Sequence, residues 1–261
     1  MKKFLFTLTL FLAVSYQPAF AQKEIPSSAY DLYPTLEEMY GYAYGWHNGQ
    51  LLIVGGKIKS DVPELTLEDF PNTELILLDF DRNRATAFSS GSLEGIIFEQ
   101  MSSTGLEFYQ KDQFLYLIGG YGYNETQDRF ITFPYITVID LSATIEAMLQ
   151  GENPEAFFYQ ICDERLAIFD GILDYNGDEY FLINGRTAYK NNPFAEEPVY
   201  FEEDLNGQVR TFQMEGDAEN LKISNFQTWH DLELFYDYYG PLMPDKIKQE
   251  VLKIIDFQQI K

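Results

Sequence analysis

One phrase recurs three times along the chain, and its period limits the fold more than any other feature. The copies run from Trp46 to Gly56, from Tyr109 to Gly120 and from Asp174 to Gly185. Gly56 and Gly120 lie 64 positions apart, and Gly120 and Gly185 lie 65 apart. Each copy opens on a turn, continues as four or five apolar residues, and closes on Gly55-Gly56, Gly119-Gly120 or Asn184-Gly185. Asn48-Gly49 and Asn176-Gly177 suit a two-residue hairpin turn, whose positions take positive φ, and Lys111-Asp112 holds the same place. The apolar run predicts a strand buried on both faces. The closing glycines predict a place where backbone meets backbone with no room for a Cβ. The preceding residues, Tyr42 to His47, Gly105 to Gln110 and Ile172 to Tyr175, predict the partner strand.

A second piece follows about 20 residues later in each copy: a strand ending in an acid, a turn and another strand. The expected strands are Glu74–Asp79 with Ala85–Ser89, Tyr135–Asp140 with Ala156–Cys162, and Pro198–Asp204 with Gln208–Met214. Leu141 to Gly151 reads as an inserted helix capped by Ser142 and ended by Gly151. Each unit thus carries about four antiparallel strands, which is the make-up of a propeller blade.

An apolar strand closed by Gly-Gly and followed by a strand ending in Asp resembles the kelch repeat. The resemblance covers roughly residues 40 to 215 and is clearest at Gly55-Gly56 and Gly119-Gly120. In the third unit Asn184 replaces the first glycine of the pair. It implies an all-β fold of four-stranded kelch-like propeller blades. About three are recognisable, and a six-bladed ring of such units would need on the order of 380 residues, so the ring is expected to be incomplete. The expected organisation is a signal peptide over 1–21, a lead segment over 22–39, blades over 40–240 and an amphipathic tail over 241–261.

In the tail, Asn220 to Phe226 reads as a strand, and Thr228 to Asp231 echoes the start of a new unit. Pro244-Asp245 then opens a short C-terminal helix with Ile247, Val251, Ile254 and Ile255 on one face. The last 21 residues hold four lysines and three acids. That shift in charge points to a truncated or diverged relative of longer propellers. The other reading is a helix that covers a sheet edge.

The opening residues read as an export signal. Lys2 and Lys3 precede an apolar run from Phe4 to Ser15, and Ala19-Phe20-Ala21 is a small-x-small cleavage site. The run is shorter than the roughly 20 residues a membrane span needs. The expected address is exported and bacterial: periplasm, outer surface or secreted, with no membrane insertion after cleavage. The formal charge is −23, and losing the two lysines takes it to −25. Such acidity argues against nucleic acid as a partner, because phosphate contacts need Lys and Arg. The single cysteine, Cys162, excludes an intramolecular disulfide. Its strand context reads as a buried, inert thiol.

No catalytic constellation emerges. His47 and His230 each follow a tryptophan, and nothing in the sequence ties them together. Asp79, Asp81 and Asn83 copy the first half of a calcium loop, but Arg84 and Ser90 stand where its glycine and final acid belong. They are weak metal candidates, and no cofactor is expected. Glu196-Glu197 and Glu202-Glu203-Asp204 read as a solvated face. Tyr121 and Tyr123 after the second Gly-Gly, with Trp46 and Trp229, are the aromatic candidates for a loop-borne binding site, against core packing as the plainer role. The expectation is an exported interaction module that binds a protein or glycan through its loops. The alternatives are a carbohydrate-active enzyme working through paired carboxylates, and a remnant of a longer propeller.

Overall fold

In the first unit the turn chemistry works as the sequence predicts. Asn48 and Gly49 both take positive φ, 46° and 78°. They join strand β1 (Met39–His47) to β2 (Gln50–Ile58), with His47 opposite Gln50. The computed structural model describes residues 24–59, 70–191 and 199–259. The expected signal peptide lies outside the described residues. Before β1 comes a short helix, α1 (Ser28–Leu32); after β2 come β3 (Glu74–Asp79) and β4 (Arg84–Ser89). These four strands form one antiparallel sheet in sequential order.

The second blade follows the helix α2 (Gly95–Met101). It holds β5 (Glu107–Lys111), β6 (Phe114–Ile118), then after the inserted hairpin β7 (Tyr121–Asn124) and β8 (Arg129–Thr132), β9 (Tyr135–Asp140), the helix α3 (Leu141–Gln150) and β10 (Phe158–Cys162). The third repeats the plan with β11 (Ile172–Tyr175), β12 (Tyr180–Ile183), an inserted hairpin β13 (Arg186–Asn191) and β14 (Tyr200–Asp204), then β15 (Val209–Glu215) and β16 (Lys222–Trp229). Two helices close the chain, α4 (Leu232–Tyr239) and α5 (Asp245–Gln259).

The sheets are β5-β6-β9-β10 and β11-β12-β15-β16, alongside β1-β2-β3-β4. The two inserted hairpins build a fourth sheet of order β7-β8-β13-β14. The architecture is therefore four four-stranded antiparallel sheets. Three are sequential, propeller-like blades in an incomplete ring, and the fourth is assembled from two blades' inserts.

The fourth sheet corrects one sequence expectation. Pro198–Asp204 was expected as the third strand of the third unit, but β14 pairs with β13, and β15 pairs with β12. An apolar-to-acidic strand pattern marks a half-exposed strand without naming its partner. Residues 192–198, including Glu196-Glu197, lie outside the described residues. Thr228 to Asp231 likewise opens no further blade. Thr228 and Trp229 end β16, and the Asp231 side chain caps α4 by accepting the Leu234 N–H.

Two turns and one cap also differ in detail. The second hairpin turns at Asp112-Gln113 rather than Lys111-Asp112, with Asp112 at φ 54°. The third needs four residues, because the Asn176 side chain accepts from the Asp178 and Glu179 N–H groups and widens the loop. At α3 the N-cap is Asp140, whose carboxylate accepts the Ala143 N–H at 3.1 Å, and Gly151 ends the helix at φ 74°.

The Gly-Gly pairs are inter-blade joints. The Gly56 N–H donates to Ser103 O at 2.7 Å, and the Gly120 N–H donates to Ile168 O at 2.9 Å. A Cβ on Gly55 would lie 2.7 Å from Ser103 O, and one on Gly119 only 1.8 Å from Ile168 O. Asn184 is tolerated in the third copy because no further blade presses on it. It holds φ 60°, a region Asn reaches more readily than most residues, and its Oδ1 accepts the Gly207 N–H at 3.0 Å. The period is also visible between blades: the Gln110 side chain accepts the Trp46 N–H and donates to Trp46 O, both at 2.7 Å.

The core lies between sheets. Leu52, Val54, Leu75 and Leu77 of the first blade pack on Leu115, Leu117 and Ile139 of the second. Ile136, Val138 and Ile118 meet Leu173, Leu182 and Phe212 of the third. Both outer faces are covered. Ala29 and Leu36 pack on Leu51, Ile53, Ile76 and Leu78 at one end. At the other, Phe235, Ile247, Val251 and Ile255 pack on Phe181, Ile183 and Val209. The expected C-terminal helix thus seals the open face of the third blade. No helix among the described residues is long and apolar enough to cross a membrane.

Candidate functional site

The inserted hairpin β7–β8 carries the aromatic cluster that follows the second Gly-Gly. It is tied to the linker that leads from α2 into the second blade through the Tyr121 N–H to Thr104 O bond at 2.8 Å and its reciprocal at 3.0 Å. Between the hairpin, α2 and the end of β2 lies a cleft of about 230 Å³. Its aromatic lining is Phe98, Tyr121, Tyr123 and Phe130; its charged groups are Lys57, Glu99 and Glu125.

Strand alternation separates the two tyrosines. Tyr121 is 4% exposed and stacks on Phe169 at 5.2 Å, so it forms the floor. Tyr123 is 37% exposed, and its ring meets Phe130 edge-on at 5.3 Å, so it forms part of the rim. The Tyr123 hydroxyl donates to Asp128, which pushes its pKa up. The Lys57 ammonium sits 5.8 Å from the centre of the Tyr121 ring, in the range of a cation–π contact. Glu99 is buried, and burial raises its carboxyl pKa, against the Glu125 N–H and Asn124 amide that hold the charged form at 2.9 and 2.8 Å. A cleft with stacked rings, a buried ammonium and a buried carboxyl can hold a ring-shaped or aromatic polar ligand by stacking and a few directed hydrogen bonds.

Sequence reading picks out Tyr121 and Tyr123 but misses Lys57 and Glu99. Lys57 carries a signal in hindsight, since a charge directly after Gly55-Gly56 breaks an otherwise apolar strand. Glu99 carries none, because α2 comes against the hairpin only once the turn of the chain at 102–106 has folded it back.

The other candidates lie elsewhere. Trp46 stacks on Phe80 at 5.4 Å in the first blade. Trp229 packs against Phe235 and Tyr239 under α4, with its indole N–H donating to Thr211 Oγ1 at 3.3 Å. His47 lies beside Asn48 at 2.9 Å, and His230 is exposed at the far end of the third blade. Asp79 has both oxygens engaged: Oδ1 by the Arg82 N–H, Oδ2 by Gln50 and the Arg82 guanidinium, all at 2.9 Å. Those bonds lower its pKa. Asp81 is exposed, and Asn83 is the left-handed residue of the β3–β4 turn, at φ 50°. No group of three or more His, Cys, Asp and Glu side chains placed for a metal occurs among the described residues. Cys162 corrects the expectation of a buried thiol: it ends the outer strand of its blade and is exposed. Partial desolvation, then Glu164 and Asp163, raise its pKa and keep it protonated, so it is a poor nucleophile.

No protein-family model matches the chain, and no curated protein matches it.

Proposed function

We propose that this chain is an exported, kelch-like interaction module that binds a protein or glycan through the aromatic cleft. The observation that carries this reading is the meeting of Tyr121, Tyr123 and Phe130 with Lys57 and Glu99 in one cleft. Stacking on exposed rings supplies affinity for sugar faces or peptide side chains, and the buried polar pair supplies orientation. The kelch assignment is supported by the Gly-Gly joints between sequential four-stranded sheets. The remnant reading is disfavoured by the covered outer faces of the first and third blades.

The carbohydrate-active alternative requires two acids free to act in one pocket. In the aromatic cleft both Glu99 oxygens are engaged, by the Asn124 amide and the Glu125 N–H, and in a second cavity lined by Glu107 and Asp170 the Asp170 carboxylate is tied to the Arg186 guanidinium. The binding reading is therefore preferred.

The test is binding of the purified protein to glycan and envelope-protein arrays, repeated with Tyr123→Ala. That rim residue is chosen because Tyr121 is packed too deeply to remove without harm. The expected result is a defined ligand whose binding falls at least about tenfold in the variant. Unchanged binding by Tyr123→Ala, or turnover of a sugar without stable binding, would overturn the reading.

A further inference from the structure

A second cavity lies at the hub, where the first strands of the three blades meet. The Gly105 N–H donates to Gly41 O at 2.8 Å, and the Asp170 N–H donates to Gly105 O at 3.0 Å. These bonds step from blade to blade at the period of the repeat. Beside them is a space of about 220 Å³ lined by Gly41, Tyr42, Glu107, Phe108, Asp170 and Lys246. None of these residues belongs to the aromatic cleft.

Glu107 is only 5% exposed. It is the first residue of β5 and faces the third blade, where its Oε1 accepts the Gly171 N–H. No other hydrogen bond to its carboxyl forms among the described residues. Burial raises its pKa to about 8, opposed by the Gly171 N–H and by Lys246 and reinforced by Asp170. Asp170 is bound to Arg186, which also holds Glu202, so that cation is committed. Lys246 stands in the first turn of α5, exposed at the rim. The carboxyl is thus enclosed with a second acid, and the cation that bears on it is Lys246 at the rim.

We propose that the hub cavity binds the ammonium group of a small organic amine, with Glu107 as its counter-ion and Lys246 as a tethered cation that the ligand displaces. The charge balance selects this class. An anion would meet the Asp170 carboxylate, whose guanidinium partner is shared with Glu202, and would gain no ion pair from Glu107. A neutral alcohol would meet Glu107 in its protonated form and gain a hydrogen bond but no ion pair. An ammonium group draws Glu107 into its charged form as an ion pair and lies beside Tyr42 and Phe108, two aromatic side chains that also line the cavity. Tyr42 is itself neutral, its pKa pushed up to about 12 by burial and by Tyr30. Around neutral pH the bound amine keeps its proton, and the Glu107 carboxyl loses its own to solvent, so binding releases protons.

The experiment titrates the full-length protein with n-butylamine, 1-butanol and butyrate, matched in size and differing in charge. Calorimetry at pH 7 in two buffers of different ionisation enthalpy counts the protons released. The expected result is that the amine binds at least about tenfold more tightly than the alcohol or the acid, with proton release. Glu107→Gln, near-isosteric, abolishes both. Lys246→Ala, a surface change that leaves the fold intact, tightens amine binding. Equal or better binding of butyrate or butanol, weaker amine binding in Lys246→Ala, or no amine binding at all overturns the proposal. Tyr123→Ala leaves amine binding unchanged, so failure here and failure of the cleft reading are distinguishable.

Discussion

Replacing Gly119 by alanine isolates the joint between the second and third blades. Gly119 has φ 68°, so alanine there carries the left-handed cost of about 1–2 kcal/mol. The added Cβ would also lie 1.8 Å from Ile168 O, well inside the 3.0 Å that real Cβ contacts essentially never breach. The carbonyl belongs to backbone and has no rotamer to escape into, so the linker must move by about an ångström. That movement breaks the Gly120 N–H to Ile168 O bond of 2.9 Å. Stranding a buried donor costs about 1–3 kcal/mol, and forced overpacking a similar amount. Gly151→Ala is the matched control. Its φ is 74°, but nothing lies within 4 Å of its Cβ, so only the left-handed cost applies. The expected difference between the variants is at least about 2 kcal/mol, or about 4–8 °C in Tm for a chain of this size. Urea denaturation of the two variants beside wild type measures it. If they agree within about 0.5 kcal/mol, backbone conformation alone explains the glycine and the close-approach argument fails.

Two further outcomes follow from the same packing. Glu107 has its pKa raised from 4.5 to about 8 in the folded state, so between those values the folded protein holds a proton that the unfolded chain lacks. Its contribution to stability therefore falls as pH rises through that window, by up to about 1.4 kcal/mol per pH unit. Glu107→Gln removes this fall, which denaturation at pH 5 and pH 8.5 would show; an unchanged slope would mean the carboxyl is not desolvated. Ile247 is fully buried between α5 and the third blade, and Ile247→Ala should cost about 2–5 kcal/mol. A thermal melt shifted by less than about 2 °C would mean that α5 does not seal that sheet.

Local rules of the chain account for what was legible in advance. Asn48-Gly49 specifies its turn because two residues of positive φ satisfy a two-residue hairpin whatever surrounds them. Glu74–Asp79 and Tyr135–Asp140 were legible to the residue, since a run of apolar side chains bounded by turn formers leaves little choice. Gly55-Gly56 and Gly119-Gly120 announced a close approach without naming the backbone that approaches. Tyr121 and Tyr123 were legible as aromatics in a connection. Their cleft partners Lys57 and Glu99 were not, because a charged side chain reads the same whether solvated or enclosed.

The amino-acid sequence alone determined the strand type and the hairpins, which follow from neighbours a few residues apart, and the period of the repeat and the acidity, which are read by counting along the chain. Only tertiary structure decided that two inserted hairpins from different blades pair into a fourth sheet. It also decided that α5 covers the third blade and that Glu107 loses its water at the hub. A strand's open edge, a helix's apolar face and a buried carboxyl acquire partners from residues tens of positions away, and no local pattern encodes which partner arrives.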